Sequence, residues 1–185
     1  RWFSPEWRLR QQEYHLSRAY FGGDAFPIFS CISAAGDLAA YLGCEVEMAP
    51  TTVWCEPCIH DPPENHPPIA LNRESWAFRQ HLDMVRLAQR ESGGRWLVTP
   101  PDLVENIAIL SAMRGPQPLI FDLMDRPEWV EQKVMEINQA FFQAFASFAD
   151  IVRDGFGGNA FIFNIWGPGR TAKVQCDACA MFGPE

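Results

Sequence analysis

The most regular pattern in the chain is an apolar stripe, Val130, Val134, Ile137, Phe141, Phe145, Phe148 and Val152, whose members stand three or four positions apart. That spacing places them on one side of a helix and predicts a long one, opened by Asp125-Arg-Pro127-Glu128 with proline in its first turn. A stripe this wide predicts packing against a sheet. Gly155, Gly157 and Gly158 supply the stop.

Other segments follow from the same reading. Residues 5–20 predict a basic helix with Trp7, Leu9 and Leu16 as apolar contacts, ending at Gly22-Gly23. The apolar run Phe26 to Ile32 predicts a buried strand, and Asp37 to Leu42 a helical turn closed by Gly43. Glu45 to Trp54 reads as extended, interrupted by Pro50. His60 to Pro68, HDPPENHPP, holds four prolines and no apolar side chain, so it predicts a loop.

A helix from about Glu74 to Glu91 carries Phe78, Leu82 and Val85 on one face and stops at Gly93-Gly94. Arg95 to Thr99 predicts a strand. Beyond it, Asp102-Leu-Val-Glu105 matches a capping box that would open a helix ending at Gly115-Pro116. Ala160 to Ile165 predicts a buried strand, Trp166-Gly-Pro-Gly169 a turn, and Ala172 to Cys176 a last strand with Asp177 after it. Strands alternating with helices imply an α/β fold on a parallel sheet, either doubly wound or a barrel. Both place their chemistry at the C-terminal ends of the strands.

Composition narrows the class. With 185 residues, 48% hydrophobic and 21% charged, the chain predicts one domain with a substantial core rather than disorder. Fifteen Lys and Arg against 23 Asp and Glu, net charge −8, leave no basic stripe for phosphates and exclude nucleic acid as a partner. No apolar run reaches the ~18–20 residues that span a bilayer, and Arg1-Trp2-Phe3-Ser4-Pro5 is unlike a secretory leader. These features predict a cytoplasmic protein without a membrane partner, with its six cysteines as thiols. The start at Arg and the close at Phe182-Gly183-Pro184-Glu185, which reads as the start of a helix, predict a piece of a longer protein.

Several constellations carry candidate chemistry. Cys55-Glu-Pro-Cys58 and Cys176-Asp-Ala-Cys179 could each offer two thiolates to a tetrahedral zinc, but they stand far beyond the ~15–20 residues between the halves of a zinc ribbon. Plain reduced thiols are the simpler reading. A zinc-stabilised module, a thioredoxin-type redox pair at Cys55 and Cys58, and a Cys55, Cys58, His60, His66 ligand set are the alternatives. Asp102, Asp177 and Trp166 fall just past three predicted strands, where one rim would hold two carboxylates and an aromatic ring; a helix cap is the plain alternative for Asp102. Gly167-Pro168-Gly169 beside Arg170 could bind an anion or simply make a turn.

The ordered set Gly36-Asp-Leu-Ala-Ala-Tyr-Leu-Gly43, Thr52-Val-Trp-Cys-Glu-Pro-Cys-Ile59, Pro101-Asp-Leu103, Arg114-Gly115, Asp122-Leu-Met-Asp-Arg-Pro-Glu-Trp-Val130, Ile165-Trp-Gly-Pro-Gly169 and Gln175-Cys-Asp177 resembles the uroporphyrinogen decarboxylase family. Within it, the resemblance is to the divergent branch related to cobalamin-dependent methyltransferases. It implies a partial TIM (β/α)8 barrel, with residues 1–185 as a single incomplete domain whose second half follows Glu185. In that domain 1–25 is an N-terminal helical segment and 60–68 a proline-rich loop. An open half-barrel would expose strand edges, which predicts a homodimer or aggregation.

In the family's decarboxylases an Asp in a Phe-Ser-Asp-Ile stretch gathers pyrrole N–H groups. The matching stretch here is Phe29-Ser30-Cys31-Ile32, and a thiol cannot supply that anionic acceptor. The arginine-bearing N-terminal motif of those decarboxylases is not found in residues 1–25. The methyltransferase branch lacks the same Asp and binds zinc through a His-x-Cys pair and a distant Cys, all in the second half of the barrel.

The resemblance therefore implies methyl transfer on a corrinoid- or tetrapyrrole-linked substrate, either a small molecule or a corrinoid protein. Zinc and corrinoid would belong to the full-length protein and no metal to residues 1–185. Asp177 and Asp102 are the candidate catalytic residues, and Trp166, Cys31, Trp54 and Arg170 the candidate substrate contacts. Uroporphyrinogen decarboxylation and a non-catalytic small-molecule-binding barrel are the alternatives.

Overall fold

The structure, a computed structural model, describes residues 4–33, 36–50, 52–104, 106–173 and 175–181. Its first helix, α1 (Pro5–Leu16), is capped by Ser4, whose side chain accepts from the Trp7 N–H. Arg8 and Gln12 then reach from α1 to the carbonyls of Ser30 and Ile28, fastening it across β1 (Ile28–Phe29). A five-residue helix, α2 (Asp37–Tyr41), follows, and all five of its residues are buried.

The extended segment read from 45 to 54 is a hairpin. β2 (Val46–Met48) pairs antiparallel with β3 (Val53–Cys55), in a register that sets Val46 opposite Cys55. The proline-rich loop contains one short 3₁₀ turn, Pro63–Asn65. Its far end is held by Glu136, which accepts from the Ile69 N–H at 2.7 Å.

Helix α3 (Trp76–Ser92) starts on a Ser75 cap and ends at Gly93, whose φ of 54° is the left-handed conformation that terminates helices. It leads into β4 (Leu97–Val98), which pairs in parallel with β1, Ile28 beside Leu97 and Phe29 beside Val98. A strand, a helix-bearing crossover and a parallel strand make a βαβ unit. The Thr99 N–H donates to the Phe29 carbonyl and continues the ladder past the strand end.

Beyond β4 the chain is mostly helical: α4 (Asn106–Arg114), α5 (Pro116–Asp125) and α6 (Pro127–Ala149). The capping-box reading of Asp102 is corrected here, because the helix opens at Asn106 rather than at Leu103; Glu105 lies outside the described residues. Val130, Ile137, Phe141, Phe148 and Val152 of the apolar stripe are buried, and Val134 and Phe145 pack beside them. The partners of α6 are α4, α5 and α3 rather than a sheet. Helix α4, which packs against α6, contributes Ile109, Leu110 and Met113 to the buried core.

The strand expected over 160–165 is also corrected. β5 (Gly158–Phe161) and β6 (Ile165–Pro168) form an antiparallel hairpin that turns at Asn164, where φ is 56°. The Trp166-Gly-Pro-Gly169 turn is thus largely strand. Gly158 is required there, since a Cβ would overlap the Gly167 carbonyl oxygen and the Trp166 ring. No strand runs through residues 172, 173, 175 and 176, and Val174 lies outside the described residues. A 3₁₀ segment, Asp177–Met181, comes next; the helix start expected at 182–185 lies outside the described residues.

The arrangement is mixed α and β. Among the described residues the strands form three separate pairs, one parallel and two antiparallel, and no closed barrel. Among them, too, no helix is long and apolar enough to cross a membrane.

Candidate functional site

The C-terminal ends of β1 and β4 lie side by side, and the polar residues that leave them are joined into one buried network. The Asp37 carboxylate is its hub. One oxygen accepts from the Ser33 N–H at 3.3 Å and from the Asp102 N–H at 3.2 Å, so it gathers the chain leaving β1 and the chain leaving β4. Between the two strands, the Cys31 N–H donates to the Thr99 hydroxyl at 3.4 Å.

His81 comes to this network from the apolar face of α3. Its Nε2 lies 2.6 Å from the Ser33 hydroxyl and its Nδ1 2.5 Å from the Tyr41 hydroxyl, with no exposed surface. Burial pushes the ring's pKa down to about 3, and the Arg8 guanidinium pushes in the same direction. The imidazole is therefore neutral at physiological pH and the 3.9 Å approach of Asp37 to Nε2 is not an ion pair. In a neutral ring one nitrogen donates and the other accepts, so the Ser33 and Tyr41 hydroxyls take opposite roles.

Ser, His and Asp in contact invite comparison with a nucleophilic triad, and the geometry answers it. In a triad the carboxylate holds the ring nitrogen remote from the nucleophile. Here Asp37 and Ser33 both approach Nε2, while Nδ1 belongs to Tyr41, and Ser33 is itself buried. The cluster fixes the two strand ends; it does not present a nucleophile.

Cys31 is fully buried beside it. Burial raises its thiol pKa far above the ordinary range, and Asp37 adds to the rise against the opposing Arg8. It is a neutral thiol, poorly suited to accept from several N–H donors.

Asp102 meets Lys173, whose Nζ lies 2.7 Å from Oδ1 with both side chains 8% exposed. The contact is a close ion pair whose alignment falls short of a hydrogen bond, leaving Oδ1 without a hydrogen-bonding partner. Asp177 is exposed and accepts from Gln175 at 2.8 Å. It sits on an open cavity whose walls include Gly36, Val104, Ala108 and Ile109. Gly36 precedes Asp37, and Val104 follows Asp102 by two residues, so Asp177 opens onto the cavity flanking the buried network.

The other three sequence-derived candidates stand elsewhere. Trp54 is exposed on β3. The Trp166 indole donates from β6 to Asp154, in the turn before β5, at 2.5 Å. Arg170 is exposed and spans both carboxylate oxygens of Asp150, at 2.8 and 2.9 Å. Of the six candidates, the structure brings Cys31 and Asp102 together, sets Asp177 at the neighbouring cavity, and leaves Trp54, Trp166 and Arg170 outside it.

Sequence reasoning missed Asp37, His81, Ser33 and Lys173. A signal for His81 was present: it falls three residues after Phe78 and four before Val85, on the apolar face of α3. A histidine there has to be buried and partnered.

All six cysteines are free thiols, and of the two CxxC pairs one is re-partnered and the other is not. Cys58 contacts Cys44 rather than Cys55, Sγ to Sγ at 3.3 Å, while Cys176 and Cys179 are 2.7 Å apart. Among the described residues no three His, Cys, Asp or Glu side chains converge as a metal site requires. Comparison of the chain with protein-family models, with curated proteins and with solved structures finds no match.

Proposed function

We propose that the chain is part of an enzyme of the uroporphyrinogen decarboxylase family, on a (β/α)8 barrel, acting by methyl transfer on a corrinoid- or tetrapyrrole-linked substrate. The observation that carries the reading is the βαβ unit of β1, α3 and β4, with its polar network at the C-terminal strand ends. α/β folds put their chemistry at that end. Within the family reading, the closed, neutral Cys31 thiol favours methyl transfer over decarboxylation, because it leaves no anionic acceptor for pyrrole N–H groups at that position.

In this reading the Asp37–His81–Ser33–Tyr41 network holds the strand ends rigid. Asp102 and Lys173 set a balanced charge pair at the site, and Asp177 supplies the exposed carboxylate. The described residues do not fit a zinc site, so no step here is assigned to zinc. The reading carries a cytoplasmic location. It also carries pairing with a second copy.

The test is thiol-dependent demethylation of methylcobalamin by the protein at its natural length, followed by the absorbance of the cobalt–carbon bond. Asp177→Asn should lower turnover or ligand affinity at least ~10-fold, about 1.4 kcal/mol, with an unaltered circular dichroism spectrum. Unchanged kinetics in that variant would sink the assignment.

A further inference from the structure

Cys44 and Cys58 stand 3.3 Å apart through a piece of geometry that the CxxC spelling conceals. The β2–β3 hairpin sets Val46 opposite Cys55, and the Glu56 N–H donates to the Glu45 carbonyl one step further out. The next residues outward on the two arms include Cys44 and Cys58. Each is pinned by its own backbone: the Cys44 N–H donates to the Ala39 carbonyl of α2, and the N–H groups of Cys58 and Ile59 both donate to the Met113 carbonyl of α4. Cys55 lies on β3 and packs against the core.

We propose that Cys44 and Cys58 are a redox site that closes to a reversible disulfide with a low-molecular-weight disulfide as oxidant, tethering the loop that follows α2 to the segment that follows β3. A disulfide needs a sulfur separation near 2.05 Å, so about 1.3 Å of approach completes the bond, within reach of side-chain rotation.

The two thiols have different parts. Cys58 is half-buried and lines a groove with Gly43, Glu45, Glu56 and His60, whereas Cys44 is buried. The hydrogen bond between them favours the thiolate on Cys58, lowering its pKa, and keeps the proton on Cys44, whose pKa that bond and burial raise. Cys58 therefore attacks one sulfur of the oxidant RSSR, forming Cys58–S–S–R and releasing RS⁻, which takes up a proton. Cys44 then gives up its proton and attacks the Cys58 sulfur, expelling the second RS⁻. In sum two thiols lose two electrons and two protons, and RSSR gains them as two RSH.

The site is independent of the proposed methyl transfer. Its consequence for the fold is local: α2 carries Asp37 and Tyr41, so the tether holds the helix that organises the buried network.

The experiment incubates the folded protein with oxidised glutathione, blocks remaining thiols by alkylation in denaturant, and maps proteolytic peptides by mass spectrometry. A Cys44–Cys58 linked peptide is expected, and Cys55→Ser should leave it unchanged. Cys44→Ser should stop the reaction at Cys58 carrying one glutathione, and Cys58→Ser should leave Cys44 alkylatable. Both variants are read only when circular dichroism shows them folded, and the wild-type map stands without them. A Cys55–Cys58 linkage, or a Cys44 that stays fully alkylatable after exposed Cys179 has reacted, would overturn the proposal.

Discussion

His81 offers the sharpest quantitative consequence of the buried network. Its folded-state pKa is about 3 against 6.5 for the free side chain. The unfolded chain therefore binds a proton that the folded one refuses, and stability must fall as pH drops below 6.5. Each pH unit in that window costs ~1.4 kcal/mol, so lowering the pH from 7.5 to 5.0 costs ~2 kcal/mol. Glu136 and Asp154 are held below their ordinary values of 4.5 and 3.8, so the stabilisation they supply is lost only at lower pH.

The assay is urea unfolding at the two pH values. With a slope of ~2 kcal/mol per molar for a chain of this size, the midpoint should fall by ~1 M. His81→Gln keeps a donor and an acceptor near Ser33 and Tyr41 but cannot titrate. It should be less stable at pH 7.5 and flat across the window. A wild-type midpoint that does not move, or a His81→Gln protein with the wild-type slope, would refute the reasoning.

Other consequences follow from the packing. Arg114 is buried and donates to Asp122 at 2.7 Å, to Asp61 at 2.5 Å and to the Ile59 carbonyl, while Asp122 also accepts from Arg126 at 2.7 Å. Asp122→Ala removes the buried carboxylate that Arg114 and Arg126 share, leaving Arg114 only Asp61 and the Ile59 carbonyl, and should cost ~2–3 kcal/mol in urea unfolding, with a clearly smaller loss for Glu64→Gln at the exposed end of the same chain of charges. Gly158→Ala should cost ~1–3 kcal/mol by forcing the β5–β6 hairpin off the Trp166 ring, read as a lowered thermal midpoint. Lys173→Met should destabilise by a few kcal/mol, and adding Asp102→Asn should restore part of the loss, a coupling that a double-mutant cycle measures directly.

Much of the fold was legible because local signals and packing agree. Pro127 in the first turn, the apolar stripe behind it and the glycines after it define α6, and Gly93 closes α3 where its stop is expected. The misreadings have physical causes. Prolines at 116 and 118 hid α5 because they read as breakers, yet both sit in the first turn, where the missing N–H costs nothing. Ala160 to Ile165 looked like a single buried strand because Phe163 and Ile165 are apolar, but both are exposed at the hairpin tip and Asn164 turns the chain. The α6 stripe gave its own width but not its partner, which is decided by α4.

The candidate site was legible only in part, for a related reason. Asp102 was found by its position after a predicted strand, a local feature, and Cys31 through the family resemblance of Phe29-Ser30-Cys31-Ile32. Asp37, His81 and Lys173 reach the same place across long stretches of chain, and only the fold shows that they meet. The same holds for Cys44, whose partnership with Cys58 depends on the β2–β3 register rather than on motif spacing.

The proposed function is most directly tested by giving the protein at its natural length two substrates in parallel, methylcobalamin with a thiol acceptor and uroporphyrinogen. The account predicts thiol-dependent loss of the methyl–cobalt absorbance and no release of carbon dioxide from uroporphyrinogen. Carbon dioxide release, or no reaction with either substrate, would contradict it.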